Sequence, residues 1–192
     1  MRHNAIRDLL ADEMTGVCHD VATEPVLQPL SGEEFAGAST NMALGARLDI
    51  AASGFYGGRF ERTFFDVRVF NPLAQSNQFP LARCYRRHEA EKRRMYGARV
   101  REVERASLVP FVMTCVGGYG PAATATTQRL AALIAEKEDQ QYSAVIGWLR
   151  TKISFALLRS AGMCIRGARS SRHQPRCDWS ALDLHLAESG AQ

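Results

Sequence analysis

The sequence lacks the cysteine spacing of a disulfide framework or of a zinc-binding module. Its five cysteines, Cys18, Cys84, Cys115, Cys164 and Cys177, are odd in number, lie far apart and include no C-x-x-C pair. Scattered thiols of this kind are typical of a protein from a reducing compartment. We therefore expect a nuclear or cytoplasmic protein.

Long apolar runs are also absent. No stretch reaches the roughly 18 apolar residues that a membrane-spanning helix needs, and the first residues do not have the basic and apolar regions of a secretory signal. We therefore expect no membrane partner. What is present is an ordinary globular composition, with 46% hydrophobic and 23% charged residues in a chain of 192. This length is sufficient for one domain with a hydrophobic core.

The net charge is only +4, but the basic residues are concentrated. Between Arg83 and Arg105 there are nine lysines and arginines against four glutamates, a local net charge of +5. A stripe of this kind is typical of a face that contacts phosphates, although a solvated helix face explains it equally well. We take Arg86, Arg87, Arg93 and Arg94 as candidate nucleic-acid-binding residues, with DNA as the expected partner and RNA as an alternative.

Two segments with alternating apolar residues, 46–52 and 62–70, flank a turn that is rich in glycine. This pattern is typical of a β-hairpin. Each segment carries one aspartate, a residue that is depleted in strands and rarely buried without a partner. Because side chains alternate along a strand, Asp66 and Arg68 share one face, and Asp49 can lie on the same face of the neighbouring strand. The hairpin therefore predicts two neighbouring carboxylates with a cation beside them.

Apolar periodicity along the whole chain predicts the element order αβββαβαα. The first helix is expected over residues 2–19 and the first strand at the edge segment 24–27. We expect an α/β fold in which helices flank a small mixed sheet. The domain is expected to cover residues 1–170, followed by a weakly ordered C-terminal tail over 171–192, where serine, glutamine and glycine are frequent.

Two carboxylates and a cation are the residue types that metal-dependent cleavage of a phosphodiester needs. A Mg²⁺ ion held by Asp49 and Asp66 lowers the pKa of a bound water and offsets the negative charge that develops on the phosphate. Arg68 stays protonated, so it can act only electrostatically, and Lys92 on the following helix is the alternative cation. The competing interpretation is structural, with Asp49 in an ion pair with Arg47 or Arg68.

Five short motifs occur in an order that resembles one family. They are Arg2-His3-Asn4, Arg47-Leu48-Asp49, Asp66-Val67-Arg68-Val69, His88-x3-Lys92-x3-Tyr96, and Pro110-Phe111-Val112 before Gly117-Gly118. The set spans roughly residues 2–170. It resembles the restriction-like endonuclease domain, of PD-(D/E)xK type, in the polyproteins of site-specific non-LTR retrotransposons. The family's Lys/Arg-Pro-Asp is Arg-Leu-Asp here, without the proline.

The resemblance implies a restriction-endonuclease-like fold and a Mg²⁺-dependent endonuclease that nicks target DNA. It implies that Asp49 and Asp66 are metal-binding and catalytic, and that Lys92 is the catalytic lysine, with Arg68 as its rival. His3 and Asn4 match the family's N-terminal polar motif, and we expect them at the nucleic acid. A detached copy of such a domain can lose activity. The alternative is therefore an inactive nucleic-acid-binding module or a folded remnant of a retroelement.

Overall fold

The computed structural model describes residues 2–28 and 46–167. In chain order the elements are α1 (Arg2–Thr15), β1 (His19–Thr23), β2 (Ile50–Ser53), β3 (Arg62–Phe70), a short 3₁₀ helix (Gln75–Asn77), α2 (Leu81–Glu102), β4 (Ser107–Thr114), α3 (Pro121–Glu138) and α4 (Tyr142–Gly167). The predicted mixed α/β class with a small mixed sheet is confirmed. The predicted tail over 171–192 lies outside the described residues.

The chain divides into two compact units, Met1–Ala161 and Gly162–Gln192. Of the second unit, the described part is the end of α4. The sheet and the site described below belong to the first unit. None of the described helices is long and apolar enough to cross a membrane.

The four strands form one sheet in the order β1-β2-β3-β4. β2 is antiparallel to both β1 and β3, whereas β3 and β4 are parallel and α2 provides the crossover between them. β3 has a strand on each side and is covered on both faces, so every side chain from Thr63 to Val67 is buried. The central strand therefore places the carboxyl of Asp66 inside the protein.

The first strand lies earlier than predicted. The prediction of a strand over residues 24–27 is wrong, because only Val26 pairs there, in a single bridge with Arg47. Pro25 has no N–H to donate to a ladder, whereas β1 contains the β-branched residues that favour strands. The helix predicted to reach residue 19 ends at Thr15, just before Gly16, which leaves the β1 segment free to pair with β2.

Helices cover both faces of the sheet. On one face, α1, α3 and α4 share the main core with the sheet, and representative members are Ile6, Phe65, Phe111, Leu130 and Leu149. On the other face, α2 packs over two smaller apolar clusters, whose members include Phe64 with Val100 and Phe70 with Tyr85. Because α2 packs on this second face, its side chains meet those of β3.

The alternation predicted for residues 46–52 breaks at Asp49. Strict alternation would place Leu48 on the same face as Ile50, but Leu48 packs with Ala51 and Phe64 on the α2 face, while Ile50 belongs to the main core. The reason is that β2 begins only at Ile50. Asp49 therefore stands at the point where the chain enters the sheet and is not held by the regular pleat of a strand.

Candidate functional site

Asp66 is a carboxylate in the buried middle part of β3, an interior strand of the sheet. It is only 4% exposed, and an unpaired charge at such a depth costs several kcal/mol. Lys92 of α2 supplies the opposite charge: its Nζ donates to Asp66 Oδ1 at 3.0 Å and lies 2.9 Å from Oδ2. Oδ2 itself accepts no hydrogen bond of good geometry from the described residues. The second oxygen of Asp66 is therefore buried and close to a charge, but has no hydrogen bond of good geometry from the described residues.

Asp49 lies beside Asp66 across the strand pair, because the next residue, Ile50, pairs with Phe65. The Asp49 backbone N–H donates to the carbonyl of Phe65 at 3.1 Å. Its side chain turns back to the same strand, where Oδ2 accepts the backbone N–H of Val67 at 2.6 Å. The Asp49 carboxylate thus takes the place of a backbone acceptor just before β2 begins.

The two carboxyls interact directly, and their pKa values are shifted in opposite directions. Burial raises the pKa of Asp66 to about 6; Lys92 opposes this shift and the neighbouring Asp49 adds to it. Burial alone would also raise the pKa of Asp49, but hydrogen bonds from His3 and from the Val67 N–H, with a contribution from Asp66, hold that pKa below its usual range. The pair therefore titrates as a unit in which Asp49 keeps its charge and Asp66 is protonated first.

His3 extends the network from the first turn of α1. Its Nε2 lies 3.0 Å from Asp49 Oδ2, and its Nδ1 lies 3.1 Å from the Oδ1 of Asn4. Both ring nitrogens thus face oxygen acceptors, which the doubly protonated imidazolium satisfies together. In agreement, the hydrogen bond with Asp49 raises the pKa of His3, although partial burial lowers it. The N-terminal motif Arg2-His3-Asn4 is therefore brought to the first aspartate.

Arg68 is placed apart from the two aspartates. Its guanidinium donates to Glu91 Oε2 at 3.1 Å, and the buried His88 lies behind this pair, 3.8 Å from the same oxygen. Of the two candidate cations, Lys92 contacts Asp66 and Arg68 contacts Glu91. Sequence reasoning did not single out Glu91. The indication in the sequence was that Glu91 is adjacent to Lys92 on α2, so its carboxylate can reach the same face of the sheet.

The four candidate arginines of α2 are all exposed, but two of them make contacts within the protein. Arg87 donates to the carbonyl of Ser76 at 3.1 Å, and Arg93 pairs with Glu89 at 3.4 Å. Arg86 and Arg94 are the other two exposed arginines of this set. The basic stripe thus borders the site through Lys92 and continues on the solvent side of α2.

The donor set at the aspartates suits a hard cation. Within residues 2–28 and 46–167 no group of three or more histidine, cysteine, aspartate or glutamate side chains forms a metal-binding cluster. Zinc is usually held by three or four such ligands. Mg²⁺ is commonly held by one or two carboxylates and keeps several waters. The carboxylate oxygens of Asp49 and Asp66 are hard donors of the kind that Mg²⁺ takes.

No protein-family model matches the chain, and no curated protein matches it. Inferences about function therefore depend on the geometry of His3, Asp49, Asp66 and Lys92.

Proposed function

We propose that this chain is a Mg²⁺-dependent DNA endonuclease domain of the restriction-like PD-(D/E)xK type, derived from a retrotransposon, which nicks target DNA. The observation that carries the proposal is the convergence of Asp49, Asp66 and Lys92 at one point of the sheet. These residues come from three separate elements or their ends. The succession of helices and strands agrees with the restriction-endonuclease-like fold that the motif order implies.

In this proposal Asp49 and Asp66 hold Mg²⁺, which supplies an activated water and neutralises charge on the phosphate. Asp66 would hold the cation as the ionised carboxylate. Lys92, which is 2.9 Å from Asp66 Oδ2, stabilises the additional negative charge of the transition state. The same lysine offsets the charge of buried Asp66 when no cation is bound.

The exposed arginines of α2 give the DNA backbone a basic surface on the solvent side of this helix. Arg86 and Arg94 are both solvent-exposed on the helix that carries Lys92. Phosphates bound by them lie on the side of α2 that faces away from the sheet. Backbone contacts of this kind position a duplex and carry no sequence information.

A plasmid-nicking assay tests the proposal. We expect purified protein to convert supercoiled DNA to the open circle with Mg²⁺ and not with EDTA. Asp66→Asn removes a charged metal ligand and should abolish nicking. Lys92→Met should slow it by about 10²–10³-fold, the usual loss when one stabilising charge is removed from a transition state.

Arg68→Met is the matched control, because it removes a cation from the same sheet face. It should leave most of the activity, since Arg68 contacts Glu91 and not the aspartates. If Arg68→Met is inactive while Lys92→Met is active, the two cations exchange roles. If wild type and Asp66→Asn nick DNA equally, the proposed metal site is wrong.

The second candidate is a non-catalytic nucleic-acid-binding module. It is favoured by the internal contacts of the site, since His3, the Val67 N–H and Lys92 already satisfy much of the charge of the two aspartates. This candidate predicts salt-sensitive DNA binding that Asp66→Asn leaves unchanged, together with no nicking at any Mg²⁺ concentration. Fluorescence anisotropy with labelled duplex or RNA measures the binding.

A further inference from the structure

We infer that His3 is a positioning residue that fixes which oxygen of Asp49 is available to a cation. The inference rests on the proposed metal role of Asp49. It assigns a task to the first turn of α1, a helix that packs on the opposite face of the sheet from Lys92 and α2.

The two oxygens of Asp49 have different surroundings. Oδ2 receives two donors, the Val67 N–H at 2.6 Å and His3 Nε2 at 3.0 Å. A carboxylate oxygen with two donors in place is poorly available to a third partner. Oδ1 is therefore the oxygen that Asp49 presents to a cation, together with the hydrogen-bond-deficient Oδ2 of Asp66.

His3 is held in place from its other side. Asn4 Oδ1 lies 3.1 Å from Nδ1, so the ring orientation is set by contacts at both nitrogens. The side chain of His3 is 39% exposed, whereas that of Asp49 is 15% exposed. The contact between His3 Nε2 and Asp49 Oδ2 therefore restricts rotation of the carboxylate. Partners that orient a ligating carboxylate in this way commonly change metal affinity by about 10–100-fold when they are removed.

Binding of Mn²⁺, followed by electron paramagnetic resonance, tests the inference without DNA. We expect His3→Leu to weaken the Mn²⁺ site that depends on Asp49 by about 10–100-fold. His3→Gln, which offers an amide N–H at a similar reach, should restore much of the affinity. Asp12→Asn is the control, because Asp12 is exposed on the same helix and its variant should bind Mn²⁺ as wild type does.

The nicking assay gives a second readout. If His3 acts through the metal, raising Mg²⁺ should recover the rate of His3→Leu, while the KM for DNA stays unchanged. A general loss of folding would instead lower the thermal midpoint of His3→Leu and would not respond to Mg²⁺. His3→Gln keeps the test valid if the leucine variant unfolds.

The outcomes separate this inference from the proposed function. If wild type binds Mn²⁺ through Asp49 and His3→Leu binds it equally well, the positioning role is wrong and the nuclease proposal stands. If Mn²⁺ binds and depends on His3 but no DNA is cut, the inference holds and the nuclease proposal fails. Absence of any Asp49-dependent Mn²⁺ site overturns both.

Discussion

At the scale of single residues, burial and an ion pair have opposite effects on the ionisation of Asp66. Burial disfavours the charged carboxylate, and Lys92 stabilises it. The pKa of about 6 shows that burial and the neighbouring Asp49 outweigh the lysine. A divalent cation at the same oxygens would reverse this balance, because it favours the ionised form far more strongly than one lysine does. The charged form of Asp66 therefore destabilises the folded protein when no divalent cation is bound.

This balance predicts how stability depends on pH. Because the folded-state pKa of Asp66 is raised, folded protein keeps a proton that unfolded protein releases near pH 4. The stability from the protonated form is complete below about pH 4 and is lost as pH rises through about 6. Relative to Asp66→Asn, wild type should lose about 2–3 kcal/mol of unfolding free energy between pH 4 and 7.

Urea unfolding of both proteins at pH 4, 5.5 and 7, without divalent cations, measures the difference. Because Asp49 and Asp66 titrate as a coupled pair, the difference between the two profiles reports the loss of the Asp66 carboxyl together with its effect on Asp49. Parallel pH profiles for wild type and Asp66→Asn would show that the carboxyl of Asp66 is not perturbed.

The sequence predicts part of this site from local pattern alone. Asp49 and Asp66 are neighbours because each lies in or beside an alternating segment, and a short turn brings the two segments together. Local pattern does not decide which of the two cations, Arg68 or Lys92, contacts Asp66. Arg68 shares a strand face with Asp66, but two residues along a strand are about 6.6 Å apart. Which side chain of α2 meets Asp66 depends on how the helix lies on the sheet, which no short motif encodes.

At the scale of elements, a buried carboxylate links α2 to α3. Glu89 of α2 is 4% exposed and accepts the backbone N–H of Ala122 at 3.0 Å. α3 begins at Pro121 after Gly120, which has no side chain to cap the helix. A Cβ at Gly120 would lie 3.0 Å from both Glu89 Oε1 and the carbonyl of Val112. Glycine here allows Glu89 to act as the cap from another helix.

Glu89→Ala should therefore destabilise the protein. It leaves a helix N–H without its acceptor and removes the charge that pairs with Arg93. We expect a loss of about 1–3 kcal/mol in unfolding free energy, measured by urea denaturation. Glu136→Ala removes an exposed carboxylate from α3 and should change stability by less than about 0.5 kcal/mol. Equal effects of the two variants would contradict the capping role.

The elements also show where sequence patterns are sufficient. β3 covers residues 62–70 as predicted, because its alternation is long and is bounded by glycine and Asn71-Pro72. β1 escaped prediction because its five residues have no buried face to create an alternating pattern. It is a strand through pairing with β2, which lies 27 or more residues later in the chain. Pairing between segments so far apart in the chain produces no recognisable pattern in the local sequence.

At the scale of the whole molecule, the charges are divided between the faces of the sheet. The α2 side carries the arginine stripe, whereas the opposite side is formed by α1, α3 and α4, which share the main core. α4 has exposed arginines of its own at Arg150 and Arg159. The proposed function places DNA on the α2 side, so the two sets of arginines should contribute differently to binding.

The salt dependence of DNA binding distinguishes the arginines of α2 from those of α4. Arg86→Gln with Arg94→Gln should weaken binding and reduce the slope of log K against log salt by about 2, since each phosphate that an arginine neutralises contributes about 0.9 to that slope. Arg150→Gln with Arg159→Gln removes the same charge from α4 and should leave the slope unchanged. The reverse result would place the DNA on α4 and separate binding from the aspartate site.

The bond between Val67 and Asp49 gives the molecule an internal spectroscopic probe. The Val67 amide belongs to β3, yet it donates its hydrogen bond to the Asp49 carboxylate, with 2.6 Å between Val67 N and Asp49 Oδ2. A charged acceptor at such a distance deshields an amide proton and slows its exchange with solvent. One resonance in the middle of the sheet thus reports the charge and occupancy of Asp49, even when no substrate is present.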